Sequence, residues 1–485
     1  MTDMIRLEEV SFTYEGEEPQ LNKVSLTIRQ GECVLITGPS GCGKTTLTRL
    51  INGLIPHYYE GTVTGQLYLG DRNVSELADW EYGQRVGSVF QDARSQFFTS
   101  TVFDELAFAS ENYQHEATKI KKRTEQFLQM NQLGHLKKRK LAQLSSGEKQ
   151  KIAMGAVEVH APEIYVLDEP SANLDNQGNN QLAKTVKQLK NAGKTILIAD
   201  HRVYYLMEAV DRIIYMSKGE IHAEWSVEEF QALSEETIYS LDLRDKQPIQ
   251  LVTLLQDKAH DQLAEPPFLC LDQLAIGYQR FAPSLLENLS LTLAKGEILL
   301  LTGENGLGKT TLARTLCGLT KQQAGTIKLN GQPQSAKKRR EQCWFVLQDA
   351  DYQLFSESVF NELLLGTKKT AVEIAQAEKL LQELNLLEFK DQHPATLSGG
   401  QKQRLVFAVG LMREPELLIL DEPTSGLDAG NMRRVQRMIK EYAKRGVTFM
   451  IITHDFEFAK GFGRQTIQLD HFSKDKQKKL AYQLL

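Results

Sequence analysis

The stretch Gly38–Thr46, GPSGCGKTT, has residue types at the spacing needed to bind phosphate groups. Its glycines let the backbone turn tightly, so that successive N–H groups can converge on phosphate oxygens at the positive end of a helix. Lys44 would add a positive charge for the β- and γ-phosphates, and the Thr45 hydroxyl is placed to ligate Mg²⁺. The apolar run Cys33–Ile36 before the stretch predicts a buried strand, and Leu47–Leu54 after it predicts a helix.

The same pattern returns at Gly303–Thr311, GENGLGKTT, again after an apolar run, Ile298–Leu301. Two such loops, each between a predicted strand and a predicted helix, indicate a nucleotide-binding protein that is built twice.

A short strand that ends in a glutamine follows each phosphate loop. Gln91 lies in VFQD and Gln348 in VLQD. A neutral amide at this place can ligate Mg²⁺ or orient water without adding charge.

Further along, each half has a serine- and glycine-rich turn that opens an amphipathic helix. These turns are Leu144–Gln150, LSSGEKQ, and Leu397–Arg404, LSGGQKQR. The serine and the backbone N–H groups at the helix start can bind an anion, although a serine N-cap without a ligand is an equally ordinary use of this pattern.

Two apolar strands then end in paired acids, IYVLDE at Asp168 and Glu169, and LLILDE at Asp421 and Glu422. The aspartates are placed to hold Mg²⁺ through water, and the glutamates to act as a general base or to orient water.

A last pair of strands ends in histidine, His201 and His454, which could donate a hydrogen bond to a γ-phosphate oxygen. In both halves the aspartate follows the first serine of the serine- and glycine-rich turn, Ser145 or Ser398, by 23 positions. The histidine follows the aspartate by 33. This equal spacing predicts tandem domains rather than a solenoid.

The bulk composition narrows the class of protein. A formal net charge of -5 argues against a general nucleic-acid-binding surface, and no apolar run approaches the roughly 20 residues that span a bilayer. Five cysteines without CxxC spacing, and no secretory signal at the start, predict a reduced cytosolic chain. Cys42, at a helix start inside the phosphate loop, is expected to have some thiolate character.

Aromatic residues recur at matching places. Tyr14 and Tyr278 each precede a phosphate loop and could stack on a base, or be half-buried strand residues. After each glutamine come Ser95–Phe108, SQFFTSTVFDELAF, and Tyr352–Leu365, YQLFSESVFNELLL. Their aromatics are either core or an exposed docking groove, namely Phe97, Phe98, Phe103, Tyr352, Phe355 and Phe360.

With these motifs in this order, the chain resembles two ATP-binding cassette (ABC) ATPase domains fused head to tail. The resemblance implies an α/β fold of two tandem P-loop NTPase domains, each with an antiparallel β subdomain and a helical signature subdomain. The expected domains are residues 1–221 and 268–485, joined by a linker over 222–267.

The resemblance also implies the cofactors, ATP and Mg²⁺, and the site residues. Those expected to bind ATP in the first half are Tyr14, Gly38, Pro39, Ser40, Gly41, Cys42, Gly43, Lys44, Thr45, Thr46, Ser145, Ser146 and Gly147. Those in the second half are Tyr278, Gly303, Glu304, Asn305, Gly306, Leu307, Gly308, Lys309, Thr310, Thr311, Ser398, Gly399 and Gly400. Metal ligands would be Thr45, Gln91, Asp168, Thr310, Gln348 and Asp421. Catalytic residues would be Glu169, Glu422, His201, His454, Gln91 and Gln348.

In this family the two cassettes pair, here within one chain, and the signature of one completes the ATP site of the other. Ser146 and Glu148 stand where the second copy has Gly399 and Gln401, so the two sites are expected to be unequal. Because both copies keep the acid pair and the histidine, both are expected to hydrolyse ATP.

The aromatic segments resemble those of the energising ATPases of energy-coupling factor (ECF) transporters, which import vitamins and metal ions. The implied partners are a transmembrane coupling protein and a substrate-binding membrane subunit, with no nucleic acid. The chain would touch the membrane only through these partners, at the cytoplasmic face of the cell membrane. The alternatives are a soluble twin-cassette ATPase that acts on ribosomes and the fused ATPase of a sugar importer.

Overall fold

The computed structural model describes residues 2–16, 18–172, 174–247, 267–278, 283–303, 306–462 and 465–469. The chain divides into two compact units, Met1–Gln247 and Pro248–Leu485. Two predicted site residues, Glu304 and Asn305, lie outside the described residues, as do 248–266 of the predicted linker and the tail 471–485.

The first unit contains two sheets. An antiparallel sheet has the order β2-β1-β4-β5, and a second, mainly parallel sheet has the order β10-β9-β3-β8-β7-β6. The strands are β1 Asp3–Tyr14, β2 Pro19–Arg29, β3 Cys33–Thr37, β4 Gly61–Leu69, β5 Arg72–Asn73, β6 Val86–Val89, β7 Ile164–Asp168, β8 Thr195–Ala199, β9 Arg212–Ser217 and β10 Glu220–Ser226.

The helices of the first unit pack around the parallel sheet and form a separate helical layer. They are α1 Lys44–Ile51, α2 Leu54–His57, α3 Asp79–Arg85, α4 Val102–Asn112, α5 Ala117–Met130, α6 Ser146–His160, α7 Asn176–Asn191, α8 Val227–Ala232 and α9 Glu235–Ser240. Helices α4, α5 and α6 share an apolar cluster that includes Leu106, Phe127 and Ile152.

The second unit repeats the architecture. Its antiparallel sheet has the order β12-β11-β14-β15, and within the described ranges its parallel sheet has the order β16-β17-β18-β13-β19. The strands are β11 Leu269–Ile276, β12 Leu286–Leu293, β13 Ile298–Gly303, β14 Ala324–Leu329, β15 Gln332–Pro333, β16 Cys343–Val346, β17 Leu417–Asp421, β18 Thr448–Ile452 and β19 Gln465–Leu469. The helices are α10 Lys309–Leu316, α11 Ala336–Gln342, α12 Val359–Leu364, α13 Ala371–Glu383, α14 Gly399–Met412, α15 Ala429–Lys444 and α16 Phe456–Lys460.

The central parallel strands explain where the sites lie. Every residue of β3, β7 and β8 is buried, as is expected of strands covered on both faces. In each unit the phosphate loop, the acid pair and the histidine follow the carboxyl ends of neighbouring strands, so they meet at one edge of the sheet. The predicted α/β fold class is confirmed.

The first unit continues beyond the predicted boundary at 221. Strand β10 pairs antiparallel with β9, and the following helices bury Phe230 and Ile238 against the first unit's core. The described residues 222–247 are thus part of a folded unit instead of the predicted linker, because their apolar side chains cover the sheet beside β9.

Candidate phosphate and hydrolysis sites

Each phosphate loop joins the central strand of its sheet to a helix that starts at the lysine. Gly38 has φ 149°, and a Cβ there would lie 2.1 Å from the carbonyl oxygen of Met216. The equivalent Gly303 has φ 138°, with a Cβ position 2.6 Å from the carbonyl oxygen of Leu469. The close packing of the backbone therefore requires glycine at the start of both loops.

The two lysines are buried and fold back on their own loops. The Lys44 ammonium donates to the carbonyl oxygens of Gly38 at 2.9 Å and Pro39 at 3.0 Å. Lys309 donates to the Gly303 carbonyl and lies 3.2 Å from Nε2 of His454. Each ammonium thus lies within the curve of its loop, where a phosphate group would need a counter-charge.

A threonine and an aspartate converge beside each loop. The Thr45 hydroxyl donates to Asp168 at 3.3 Å, and the Thr310 hydroxyl donates to Asp421 at 2.8 Å. Burial, together with the nearby Glu169 carboxylate, raises the pKa of Asp168 to about 7, and burial also raises the pKa of Asp421. A nearby cation would stabilise the charged form of either carboxylate against this cost of burial.

Both predicted general bases have left-handed backbone conformations, with φ 44° at Glu169 and 50° at Glu422. In each, the backbone N–H donates to the last residue of the neighbouring strand, Ala199 at 2.7 Å and Ile452 at 2.9 Å. This conformation is uncommon for a non-glycine residue. It also recurs at matched places away from the sites, such as Glu9 and Gln273, so a functional role for the two carboxylates is supported by their position and contacts instead.

In the first copy, two predicted catalytic residues contact the glutamate directly. Nε2 of Gln91 donates to Oε2 of Glu169 at 2.7 Å, and Nε2 of His201 lies 3.2 Å from Oε1. In the second copy, Oε1 of Glu422 accepts the backbone N–H of His454 at 3.1 Å, and the imidazole Nε2 lies 3.8 Å away. Gln91, Glu169 and His201 are thus in contact in the first copy, while in the second copy Glu422 accepts the His454 backbone N–H and the Thr453 hydroxyl, the latter at 3.3 Å.

Sequence reasoning missed a carboxylate that braces each site. The Asp455 carboxylate accepts the Thr424 hydroxyl at 2.8 Å in the second copy. In the first copy, Asp200 accepts the Ser171 hydroxyl at 2.9 Å and the Tyr205 hydroxyl at 2.7 Å. Because Asp200 precedes its histidine and Asp455 follows its own, a comparison of the two motifs by position does not pair these residues.

Both signature serines are exposed N-caps. Ser145 opens α6, and its hydroxyl donates to Glu148 at 2.9 Å. Ser398 opens α14, where its backbone N–H donates to Gln401 at 2.8 Å. Both turns are capping boxes, so their helix starts have the predicted conformation.

The two tyrosines that were predicted to stack on a base differ in environment. Tyr14 is partly buried and its hydroxyl lies 3.3 Å from that of Thr46, while Tyr278 is 74% exposed. Stacking by either ring stays a prediction.

The expected thiolate character of Cys42 is wrong. The thiol is buried, and burial raises its pKa above the ordinary value despite the adjacent Lys44 ammonium. A helix start and a cation favour a thiolate, but here the cost of desolvation is larger.

The aromatic segments contain one strongly exposed phenylalanine in each copy. Phe98 is 75% and Phe355 is 76% exposed, and Tyr352 is also exposed, whereas Phe97, Phe103 and Phe360 are partly buried. The exposed-groove alternative therefore fits Phe98, Tyr352 and Phe355, and the core alternative fits the three partly buried rings. The ring of Phe108 stacks on that of Phe98, with 5.2 Å between the ring centroids.

A buried glutamate, which sequence reasoning also missed, holds each exposed aromatic loop. Oε2 of Glu105 accepts the backbone N–H groups of Phe98 at 3.1 Å and Thr99 at 2.8 Å. Oε2 of Glu362 accepts those of Phe355 at 2.8 Å and Ser356 at 2.6 Å. Its recurrence in VFDEL and VFNEL was the only sequence signal that could have revealed this contact.

Comparison with known proteins shows the family to which the chain is similar. The family model described as ABC transporter matches residues 21–172 and 286–425. A protein of Treponema denticola named "Putative ABC transporter ATP-binding protein" is 43% identical over 468 residues, which cover 94% of this chain and 93% of the relative. "Putative HMP/thiamine import ATP-binding protein YkoD" of Bacillus subtilis is 31% identical, covering 96% of this chain and 90% of that protein.

Among solved structures, "Model of ribosome-bound archaeal Pelota and ABCE1" matches with a TM-score of 0.69 and 21% identity, covering 95% of this chain and 76% of that one. At this identity the likeness shows the fold alone. In the described part of the chain, none of the helices is both long and apolar enough to cross a membrane. The chain belongs to the ABC transporter family, as an ATP-binding protein that hydrolyses ATP.

Proposed function

We propose that this chain is the ATP-hydrolysing subunit of an ECF-type importer of a vitamin, a vitamin precursor or a metal ion. The proposed partners are a transmembrane coupling protein and a substrate-binding membrane subunit, which would hold the chain at the cytoplasmic face of the cell membrane. The relative named for HMP/thiamine import supports a cargo of the vitamin-precursor class.

The observation that carries the proposal is the pair of exposed aromatic loops. Phe98 and Phe355 lie seven positions after Gln91 and Gln348, and each loop is fixed by a buried glutamate. An exposed phenylalanine on a fixed loop is suited to an apolar partner helix, because little conformational entropy is lost when it docks. The first aromatic loop follows Gln91 in the chain, and Gln91 contacts Glu169. A partner docked on this loop would therefore be connected to the predicted general base.

Within each unit the residues can bind and orient ATP. The loop N–H groups and Lys44 would bind the phosphates, and Glu169, held by Gln91 and His201, would take a proton from the attacking water. The second copy would use Lys309 and Glu422 in the same roles. We further propose that the cassettes pair within the chain and that each signature serine completes the other cassette's site.

The donor set suits Mg²⁺, which prefers oxygen ligands and keeps several waters. Thr45 and Asp168 would hold the ion in the first unit, and Thr310 and Asp421 in the second, with Gln91 and Gln348 as further amide ligands. Within the described ranges no group of three or more His, Cys, Asp or Glu side chains could hold a metal. The phosphates of ATP and water would complete such a site, and Mg²⁺ would supply charge neutralisation there.

The test replaces Phe98 and Phe355 together by Asp and measures binding of the chain to liposomes that contain the coupling protein. Since burial of one phenylalanine contributes about 1.5–3 kcal/mol, we expect docking to weaken more than about tenfold. Binding of a fluorescent ATP analogue should stay within about twofold of the unsubstituted chain, because neither ring touches the phosphate loops.

The matched control replaces Trp80 and Leu319, which are 61% and 57% exposed, by Asp. Undiminished docking of the Phe98 and Phe355 variant, or an equal loss in the control, would contradict the proposal. ATP hydrolysis stimulated by ribosomes instead of by the coupling protein would favour the ribosomal alternative.

A further inference from the structure

In the second unit, two side chains of the signature helix α14 hold the loop that follows Gln348. Gln403 is 7% exposed, and its Nε2 donates to the backbone carbonyl oxygen of Gln348. One residue earlier, the Lys402 ammonium bonds to Asp351 at 2.8 Å. The helix that begins at the signature is thus joined to the glutamine loop by two contacts, one at Gln348 itself and one at Asp351.

In the first unit, the corresponding positions do not form either contact. Gln150, five positions after its signature serine like Gln403, is 4% exposed, and neither of its amide atoms has a hydrogen-bond partner. Where the second copy has Asp351 and Lys402, the first has Arg94 and Lys149. Two cations replace an ion pair, so the sequence itself removes one of the two contacts.

The unsatisfied amide of Gln150 is the informative feature. A buried amide without a protein partner is destabilising, so a state in which Gln150 bonds to a nearby backbone group would be favoured. Gln150 lines a cavity of about 30 Å³ together with Val89, two residues before Gln91, and Pro170, one residue after Glu169. The amide is therefore beside the strand end that carries the glutamine loop.

We propose that Lys402 and Gln403 are positioning residues that tether α14 to the glutamine loop of the second cassette, and that Gln150 bonds to the Gln91 carbonyl only when ATP is bound. The second loop is held throughout the cycle by two contacts. In the first cassette the glutamine loop has neither of these contacts with its signature helix until nucleotide arrives, and it then has one. The two cassettes of one chain thus differ in how firmly the signature helix is attached to the glutamine loop.

The inference is tested by amide hydrogen exchange of the full chain, followed by mass spectrometry. In the absence of nucleotide, residues 348–354 should exchange more slowly than 91–97 after correction for intrinsic rates. Asp351→Lys or Lys402→Asp alone should speed exchange of 348–354 by roughly two- to fivefold, and the double reversal should restore it, because an exposed pair contributes up to about 1 kcal/mol. Arg94→Asp should slow exchange of 91–97, because it creates the missing pair with Lys149.

Two glutamine variants separate the states. Gln403→Leu should speed exchange of 348–354 with or without ATP, and should lower kcat with little change in the KM for ATP. Gln150→Leu should leave 91–97 unchanged without nucleotide and speed its exchange when ATP is bound to a Glu169→Gln background.

The control reverses Lys187 and Glu208, an exposed pair at 3.0 Å elsewhere in the first unit, and should leave both loops unchanged. A double reversal that stays as fast as the single reversals would overturn the tether. A Gln150→Leu variant that behaves alike with and without ATP would overturn the nucleotide-dependent contact. Neither result would affect docking through Phe98 and Phe355, so failure of the proposed function is detected separately.

Discussion

The amide of Gln91 donates to the carboxylate of Glu169 across 2.7 Å, joining the residue before the aromatic loop to the predicted general base. A shift of the loop would therefore change how the base is oriented. In the second copy the backbone carbonyl of Gln348 accepts a hydrogen bond from Gln403. The two copies thus show two arrangements of one set of residues.

Replacing both general bases, Glu169→Gln and Glu422→Gln, should lower ATP hydrolysis by about 10²–10⁴-fold, because a positioned base contributes that much. Each single variant should lose part of the turnover, and steady-state phosphate release is the measurement. ATP should still bind, since the amide keeps the size of the carboxylate. A Glu422→Gln variant with full turnover would show that the second copy does not hydrolyse ATP.

Alanine should be tolerated less well at Gly43 than at its counterpart Gly308. Both have φ near 100°, but a Cβ at Gly43 would lie 2.7 Å from the carbonyl oxygen of Gln20, whereas at Gly308 the nearest atom, Cβ of Leu285, is 3.2 Å away. We expect Gly308→Ala to lower the free energy of unfolding of its unit by about 1–2 kcal/mol, and Gly43→Ala by several kcal/mol.

These free energies can be measured by urea unfolding when the tryptophans of one unit are replaced by phenylalanine, so that fluorescence reports on the other unit. Trp344 is in the second unit, and Trp80 and Trp225 are in the first. The control is Gly41→Ala, whose φ is 78° but whose Cβ would meet no atom within 4 Å. It should cost about 1 kcal/mol, and a cost equal to that of Gly43→Ala would show that the close contact is unimportant.

Alkylation of Cys42 by iodoacetamide should be slow at pH 7 and should rise about tenfold per pH unit up to pH 9. Burial raises the pKa of this thiol above its ordinary value, so the reactive thiolate is a minor form at pH 7 and increases as the pH rises. Mass spectrometry of the labelled peptide gives the rate, and a Cys42→Ala chain reports labelling at the other cysteines. A rate that levels off below pH 9 would mean that the pKa is lowered instead.

Removing the buried carboxylate that holds the first aromatic loop, by Glu105→Leu, should lower the free energy of unfolding of the first unit by about 2–4 kcal/mol. The change leaves the N–H groups of Phe98 and Thr99 without their acceptor. Urea unfolding in a Trp344→Phe background isolates the first unit. The control, Glu111→Leu, changes an exposed residue of the same helix and should stay within about 0.5 kcal/mol.

Motif order and period predicted much of this molecule. Glycine spacing around Lys44 and the apolar runs before Asp168 identified strands, loops and a helix start that the structure contains. These features depend on residues close together in the chain, where local geometry decides.

What sequence could not supply depends on tertiary packing. The pKa of Cys42 is raised by residues that surround it only in the fold, and the burial of Glu105 depends on how α4 packs. The extension of the first unit did have a local signal, the turn Lys218–Gly219 between the apolar run of β9 and the segment that forms β10, with positive φ at both turn residues.

The brace formed by Asp200 in one half and Asp455 in the other has a consequence for anyone who aligns relatives of this chain. When the two halves are aligned on the histidine, Arg202 occupies the same column as Asp455. In that column the first half lacks the acid, although it supplies that acid two positions earlier, at Asp200. Inferring a dead cassette from such a column would be an error, because the hydroxyl of Ser171 still finds its carboxylate.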